Sequence, residues 1–458
     1  MIREISRRKC LRLWLCKPEY MERTKWENRF VLLRFWKKNY MMFLKDLKRF
    51  KMERLYDKLK AYSESDFYAF HMPGHKRNKA LLGIELPYDL DITEIDGFDD
   101  LHHADGILKE EQERAARVFG AEESHFLVNG STAGILSAVM GCTHRGDKIL
   151  VARHCHKSIY HAIYMNGLVP RYVYPEFDIS MHMNGEISKE DVAKALAAEP
   201  DIKAVVIVSP NYDGVVSDVK GIAEVAHSYR IPLIVDEAHG PHFGFHPAFP
   251  GRANDLGADV VINSLHKTLP SLTQTAILHI NGKLANRRRI KKYLDMLQSS
   301  SPSYIFMASL DACVDFLDGK CEEAFELYVE RLQKFREELK PLQHLQILRT
   351  EHYDISKVVI STANANITSP ELADRLRKEY HLEMEMTGGT YVLAMTTVAD
   401  TQEGLDRLKA ALLEIDDQLE AKTAVSGSIE ISGELPRLEQ YFTPQEAAER
   451  EEDGEAEE

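Results

Sequence analysis

Two short strings carry chemistry together that neither could carry alone: Ser264-Leu265-His266-Lys267-Thr268-Leu269-Pro270 and, upstream of it, Asp236-Glu237-Ala238-His239-Gly240. Each follows an apolar run that reads as a buried parallel strand, so Lys267 and Asp236 are expected at the same carboxyl edge of one sheet. An amine and a carboxylate placed in this way meet the needs of pyridoxal 5'-phosphate. The amine holds the cofactor as a Schiff base, and the carboxylate keeps its pyridine nitrogen protonated so that the ring can draw electrons. On its own, Lys267 would read as a solvated surface amine; the pairing argues otherwise.

Further residues extend that chemistry. Asn129-Gly130-Ser131-Thr132-Ala133-Gly134 turns from a strand end into an apolar helix, where backbone N–H groups and the Ser131 and Thr132 hydroxyls could hold a phosphate; a plain N-cap is the competing reading. Ser264 and His266 could complete the phosphate cup from the other side. His156, after the run 148–152, would reach the same edge and could stack on a flat heteroaromatic ring, with Ala238 as a small floor opposite and His239 beside it; by itself it is only a loop histidine. The histidines His154, His156, His239, His242 and His246 suggest a metal, but Gly240, Pro241, Gly244 and Pro247 interrupt any helix that would align them and no HExxH occurs. No metal is expected. The Asp-Glu-Ala-His string also imitates a helicase box, yet there is no GxxxxGK[ST] loop and the body is acidic, which excludes that class.

Positioning these groups requires a sheet. Short apolar runs at 126–128, 148–152, 171–174, 204–208, 233–235, 260–262 and 276–280 alternate with helical spacing at 109–119, 188–198 and 220–229, the pattern of a mostly parallel sheet with helices on both faces. A basic helix at 287–297 leads into one long helical pattern, 305–342. A smaller α/β unit follows, with strands at 357–361 and 390–395 and helices at 370–380, capped by Ser369, and 401–419. The expected organisation is a basic extension (1–51), an N-terminal segment (52–100), a cofactor-binding large domain (101–300), linking helices (301–342), a small C-terminal domain (343–421) and an acidic, disordered tail (422–458).

Composition sets the outer bounds. The 458 residues, 44% hydrophobic and 28% charged, fit a globular cytoplasmic enzyme, and no apolar run has the length of a membrane span. Cys10, Cys16, Cys142, Cys155, Cys313 and Cys321 are scattered without a CxxC, which points away from a disulfide scaffold and toward a reducing compartment. The net charge of −14 hides 16 Lys/Arg against 5 Asp/Glu in residues 1–51, together with all three tryptophans, Trp14, Trp26 and Trp36. This stretch reads as a leader outside the working protein, with Met52 as a possible initiator, rather than as an arm for a membrane or nucleic acid.

The strings HMPGHK, DITEIDGFDDLHH, FLVNGSTAGI, ARHCHKSIYHA, VSPNYDGVVSD, VDEAHGPHFGFH and SLHKTLPSLTQTA occur in order between His71 and Ala276. With them the chain resembles the short form of the Orn/Lys/Arg decarboxylase family, pyridoxal-phosphate enzymes of the aspartate aminotransferase fold (fold type I). The resemblance implies a PLP-dependent transferase-like large domain plus a smaller C-terminal domain. It implies decarboxylation of a basic L-amino acid to an amine and carbon dioxide, with arginine ahead of lysine or ornithine because short members often serve polyamine biosynthesis. Lys267 would link the cofactor, Asp236 would pair with its ring nitrogen and His156 would stack on it. Ser131, Thr132, Ser264 and His266 would bind its phosphate, with Ala238 and His239 also in the cofactor site. Lys267 or a nearby histidine would return the proton to Cα, and Glu94, Asp96, Asp99 or Asp100 would meet the substrate's distal cation. A homodimer or higher homo-oligomer is implied, with no nucleic acid or membrane partner. Family members usually end in a closing segment near a Tyr-Pro-Pro-Gly-Ile-Pro string, whereas Glu439-Gln440-Tyr441-Phe442 here leads into the acidic tail. Two other readings therefore stand beside the first: an aminotransferase or lyase of the same fold, and an impaired, non-catalytic relic.

Overall fold

A computed structural model of the chain describes residues 54–178, 183–348, 352–422 and 442–452. The expectations for the leader 1–51 and for most of the acidic tail lie outside these residues. The elements begin with helix α1 (Leu55–Ser63), α2 (Ile107–Phe119), strand β1 (Glu123–Leu127), α3 (Gly130–Cys142), β2 (Lys148–Ala152), α4 (Lys157–Asn166), β3 (Val169–Val173) and a two-stranded hairpin, β4 (Phe177–Asp178) and β5 (Met183–Asn184). They continue with α5 (Lys189–Ala198), β6 (Val205–Val208), α6 (Val219–Ser228), β7 (Leu233–Asp236), β8 (Val260–Asn263), α7 (Leu265–Thr268), β9 (Ala276–Ile280), α8 (Arg287–Leu297), α9 (Tyr304–Leu317) and α10 (Glu322–Glu338). The last are β10 (Gln346–Ile347), β11 (Lys357–Ser361), α11 (Ser369–Tyr380), β12 (Met386–Thr387), β13 (Tyr391–Met395), α12 (Gln402–Asp416) and α13 (Pro444–Glu452).

The large sheet has the order β1-β9-β8-β7-β6-β2-β3. β9 runs against both of its neighbours, and the other adjacent pairs are parallel. The reversal follows from the connection 264–275, which carries only the four-residue α7 and has too little helix to cross back for another parallel strand. Alternating side chains feed two cores. Ile149, Val151, Ile234, Val260 and Ile262 pack under α3, α4 and α8, while Leu150, Ala152, Leu233, Val235 and Val261 pack under α5 and α6. Burial on both faces is why these strands read as continuous apolar runs.

A second, antiparallel sheet has the order β10-β11-β13-β12. Val358, Ile360, Val392 and Ala394 meet Leu372 and Leu376 of α11 and Leu405, Leu408 and Leu412 of α12 in a core of their own.

The structure departs from the expected elements in four places. The long pattern 305–342 is two helices, α9 and α10, separated at Asp318–Cys321, where Gly319 adopts φ +74°. α11 is capped by Thr368 in a capping box with Glu371, not by Ser369, whose hydroxyl instead donates to the Gly388 carbonyl at 2.6 Å. Within the expected tail, Pro444–Glu452 is helical. Asp99, expected near a distal substrate cation, is committed elsewhere. Its carboxylate accepts the N–H groups of Asp100, Asp105, Gly106 and Leu108 at 2.9–3.0 Å, and these bonds hold its pKa low although burial opposes them. It secures the entry to α2.

α3 lies close against α8 where Gly141 meets Ile290. A Cβ on Gly141 would stand 2.8 Å from Ile290 Cα and 2.9 Å from its backbone nitrogen. Gly141→Ala is therefore expected to force the two helices apart and lower stability by about 1–3 kcal/mol, read as a reduced urea midpoint.

Candidate active site

The register of the parallel strands places the chemistry. Val208, Asp236 and Ile262 stand side by side on β6, β7 and β8, so the residues that follow them emerge at one edge. Lys267 follows β8, His156 follows β2, and Ser131 follows β1.

Asp236 ends β7 as a buried carboxylate. Its Oδ1 accepts the Ala238 N–H at 3.1 Å, and among the described hydrogen bonds its other oxygen accepts none. Burial raises its pKa, while the charges of Lys267 and His156 and the Ala238 N–H pull it back. A carboxylate desolvated with one neutral donor calls for a cationic N–H partner, and a protonated pyridine nitrogen satisfies that need. Lys267 is the complement: burial lowers its pKa, so its amine is more readily uncharged than an exposed lysine's, against the opposing pull of Asp236 and Glu385.

The proposed phosphate cup is brought together. The Ser264 hydroxyl donates to Ser131 Oγ at 2.8 Å, joining two segments 133 positions apart. α3 begins at Gly130, with φ +73°, and its N-cap residue Asn129 makes no side-chain capping bond; instead Asn129 Oδ1 accepts the Ser299 N–H at 3.1 Å. The first N–H groups of this long helix thus lack a side-chain cap, as an anion site requires. Ser131 and Thr132 sit inside the first turn and do not cap it, and Thr132 is exposed. His266 bonds the Thr275 carbonyl through Nδ1 at 2.8 Å, so Nε2 could donate to a phosphate only from the imidazolium. Burial disfavours that form, and a bound dianion would favour it.

His156 is the N-cap of α4, and its Nδ1 accepts the Ser158 N–H at 3.2 Å. That bond leaves Nδ1 unprotonated and the proton on Nε2. Burial lowers its pKa further, so the ring is neutral and suited to lie on a cationic heterocycle. Ala238 and His239 are buried at the same edge. These residues therefore fit pyridoxal phosphate.

Two histidines of the metal reading have partners of their own. His242 bonds Thr268 Oγ1 and Asp354 Oδ1 at 3.0 and 3.1 Å, and His246 bonds Glu326 at 3.0 Å. Of the acidic candidates, Asp100 accepts the His102 N–H and pairs with His103, Asp96 is exposed, and Glu94 retains a buried Oε1 without a partner.

Several site residues escaped sequence reasoning. Lys357, at the start of β11, is buried with its amine 3.0 Å from His239 Nδ1, and His239 Nε2 lies 2.9 Å from Lys267 Nζ. Tyr212 sets its ring 4.7 Å from that of His239 and donates its hydroxyl to Glu385, a carboxylate whose charge bears on both lysines. Tyr212 lies in the VSPNYDGVVSD string, but nothing in that string announces its partner. Lys357 and Glu385 come from the second sheet, far away in sequence.

Glu237 points away from this chemistry. It accepts the Ala253 N–H and the Asn263 amide at 2.8 and 3.0 Å, and burial pushes its pKa up to about 8. Between about pH 4.5 and 8 the folded protein thus keeps a proton that the unfolded chain releases, so Glu237 lowers stability as pH rises through that window. Glu237→Gln should flatten the profile, gaining on the order of 1–3 kcal/mol relative to the parent protein between pH 5 and pH 8 in urea denaturation. Parallel profiles for the two proteins would contradict this.

A family model described as Orn/Lys/Arg decarboxylase, major domain, matches residues 53–416. An arginine decarboxylase of Bacillus subtilis is 34% identical over 409 residues, covering 86% of this chain and 83% of that protein. A lysine decarboxylase of Pseudomonas aeruginosa is 29% identical over 286 residues, covering 55% and 38%. The crystal structure of a lysine decarboxylase from Francisella novicida superposes with a TM-score of 0.70 at 20% identity, over 79% of this chain and 60% of that one. At that identity the likeness speaks for the fold alone.

Proposed function

The chain belongs to the Orn/Lys/Arg decarboxylase family, as a pyridoxal phosphate-dependent amino acid decarboxylase, and from that premise we propose that it converts L-arginine to its amine and carbon dioxide. Arginine is favoured over lysine by the breadth of the match: the arginine decarboxylase is covered over 83% of its length and the lysine decarboxylase over 38%. The observation that carries the site assignment is the buried Asp236 carboxylate with Lys267 beyond the adjacent strand.

In this proposal Lys267 would hold the cofactor through Nζ, Asp236 would pair with its ring N–H, and neutral His156 would pack against the ring. Ser131, Thr132, Ser264, His266 and the start of α3 would hold the phosphate, and Ala238 would line the ring. Pyridoxal phosphate, when bound, supplies the electron sink that accepts the bonding pair as the substrate carboxylate leaves. Buried Asp236 would keep the ring N–H protonated, because an unpaired charge at that position is costly. Lys267 Nζ, hydrogen-bonded to His239, would return a proton to Cα. Glu385, held by Tyr212, is the carboxylate offered to the distal guanidinium. Partner subunits of the same chain and a cytoplasmic setting belong to the same proposal; the four described cysteines, Cys142, Cys155, Cys313 and Cys321, are free thiols. Among the described residues, no helix is long and apolar enough to cross a membrane.

Incubation with arginine, lysine and ornithine separately should release an amine and carbon dioxide fastest from arginine; no amine from any of them would defeat the proposal. Lys267→Ala should lose the visible absorbance of the linked cofactor, and retention of that band would overturn the lysine assignment. Glu385→Gln is expected to raise KM for arginine about tenfold with a smaller change in kcat, and an unchanged KM would remove Glu385 from substrate recognition.

A further inference from the structure

Lys357 has no part in the scheme above, yet it is a fully buried lysine in the middle of it. Its placement is built. Gly214 has φ +107°, and a Cβ there would stand 2.8 Å from Lys357 Cγ and 3.1 Å from Tyr353 Cε2, so residue 214 must be glycine for the lysine stem to pass. The Lys357 carbonyl is held by Tyr353 Oη at 2.8 Å and by Arg336 Nη2 at 2.8 Å. The amine ends 3.0 Å from His239 Nδ1, on the side of the ring opposite Lys267.

An imidazole between two amines has a restricted choice. A neutral ring carries one N–H and one acceptor nitrogen, so it can accept from one ammonium only and must donate to the other amine. Burial and the two flanking lysines keep His239 in this neutral form. Two ammoniums would leave the ring's N–H facing a cation, and two neutral amines would leave the nearby carboxylates uncompensated. The charged groups facing Lys357 are Asp354, Glu385 and Asp213, which favour its cation, and Lys267, which opposes it; burial prevails and lowers its pKa to about 8. The array therefore suits a single proton shared between the two lysines.

We propose that Lys357 is a positioning residue for Lys267, and that Lys357, His239 and Lys267 form a path along which one proton passes between the two lysine amines. While the Lys267 amine is free, the Lys357 ammonium donates to His239 Nδ1, and His239 Nε2–H faces the uncharged Lys267 amine. Transfer moves a proton from Lys357 Nζ to Nδ1 while Nε2 gives its own to Lys267 Nζ. Lys357 ends neutral, Lys267 ends as an ammonium, and the imidazole stays neutral with its hydrogen on the other nitrogen. Run forward, the path charges Lys267 for delivery of a proton; run backward, it frees the amine to take hold of the cofactor. Lys357 belongs to β11 and the other two to segments that follow β7 and β8 of the large sheet, so the path exists only while the second sheet is seated against those segments.

The inference rests on the assignment of Lys267 as the cofactor lysine, which the Lys267→Ala spectrum tests separately. In the cofactor-loaded full chain, the pH midpoint of the visible band reports the proton affinity of the Lys267 linkage. Lys357→Met removes a positive neighbour, so the midpoint is expected to rise by about one unit, with kcat falling about tenfold and KM changing less than about threefold. Lys357→Gln, which keeps a donor toward His239 Nδ1 and eases the packing, is expected to shift the midpoint in the same direction and carries the test if the Met variant does not fold. A folded variant of either kind that retains the parent midpoint, or that shifts it while keeping the parent kcat, overturns the proposal.

Discussion

Asp236 is a carboxylate taken almost wholly out of water with one backbone N–H to replace its hydration. Leaving such a charge uncompensated costs several kcal/mol, and much of the surrounding structure answers that demand. The parallel register brings Lys267 to the next strand's end, and the loop after β2 brings His156 to the same edge. A cationic ring nitrogen would supply the partner that this carboxylate lacks.

Once Asp236 is fixed, the lysines have little freedom. Burial drives both Lys267 and Lys357 toward their neutral forms, while Asp236, Asp354, Asp213 and Glu385 draw them back toward charge. The balance leaves amines that release a proton more readily than an exposed lysine does. His239, with one lysine on each ring nitrogen, couples them. The second sheet thus closes one side of the site and also supplies Lys357 and Glu385, which tune the first sheet's lysine.

The large sheet was legible because strands buried on both faces must be apolar throughout and must end at chemistry-bearing loops. Lys267, Asp236 and the Ser131 segment follow such strands, and Ser131 and Ser264 indeed meet. Local side-chain competition limited the reading elsewhere. Ser369 and Thr368 are both good caps, and only the reach of Glu371 back to Thr368 decides between them. Asp99 lies in an acidic loop that reads as solvent or substrate contact, yet its carboxylate turns onto four backbone N–H groups that become its neighbours only in the folded loop.

The sequence by itself determined the class of fold and the cofactor, because strand periodicity and short motifs are local properties of the chain. Tertiary structure alone decided that Lys357 reaches His239 across 118 positions and that Tyr212 holds Glu385 across 173. No periodicity encodes those meetings. They arise when the second sheet packs on the edge of the first, where burial removes water and makes each remaining polar partner count.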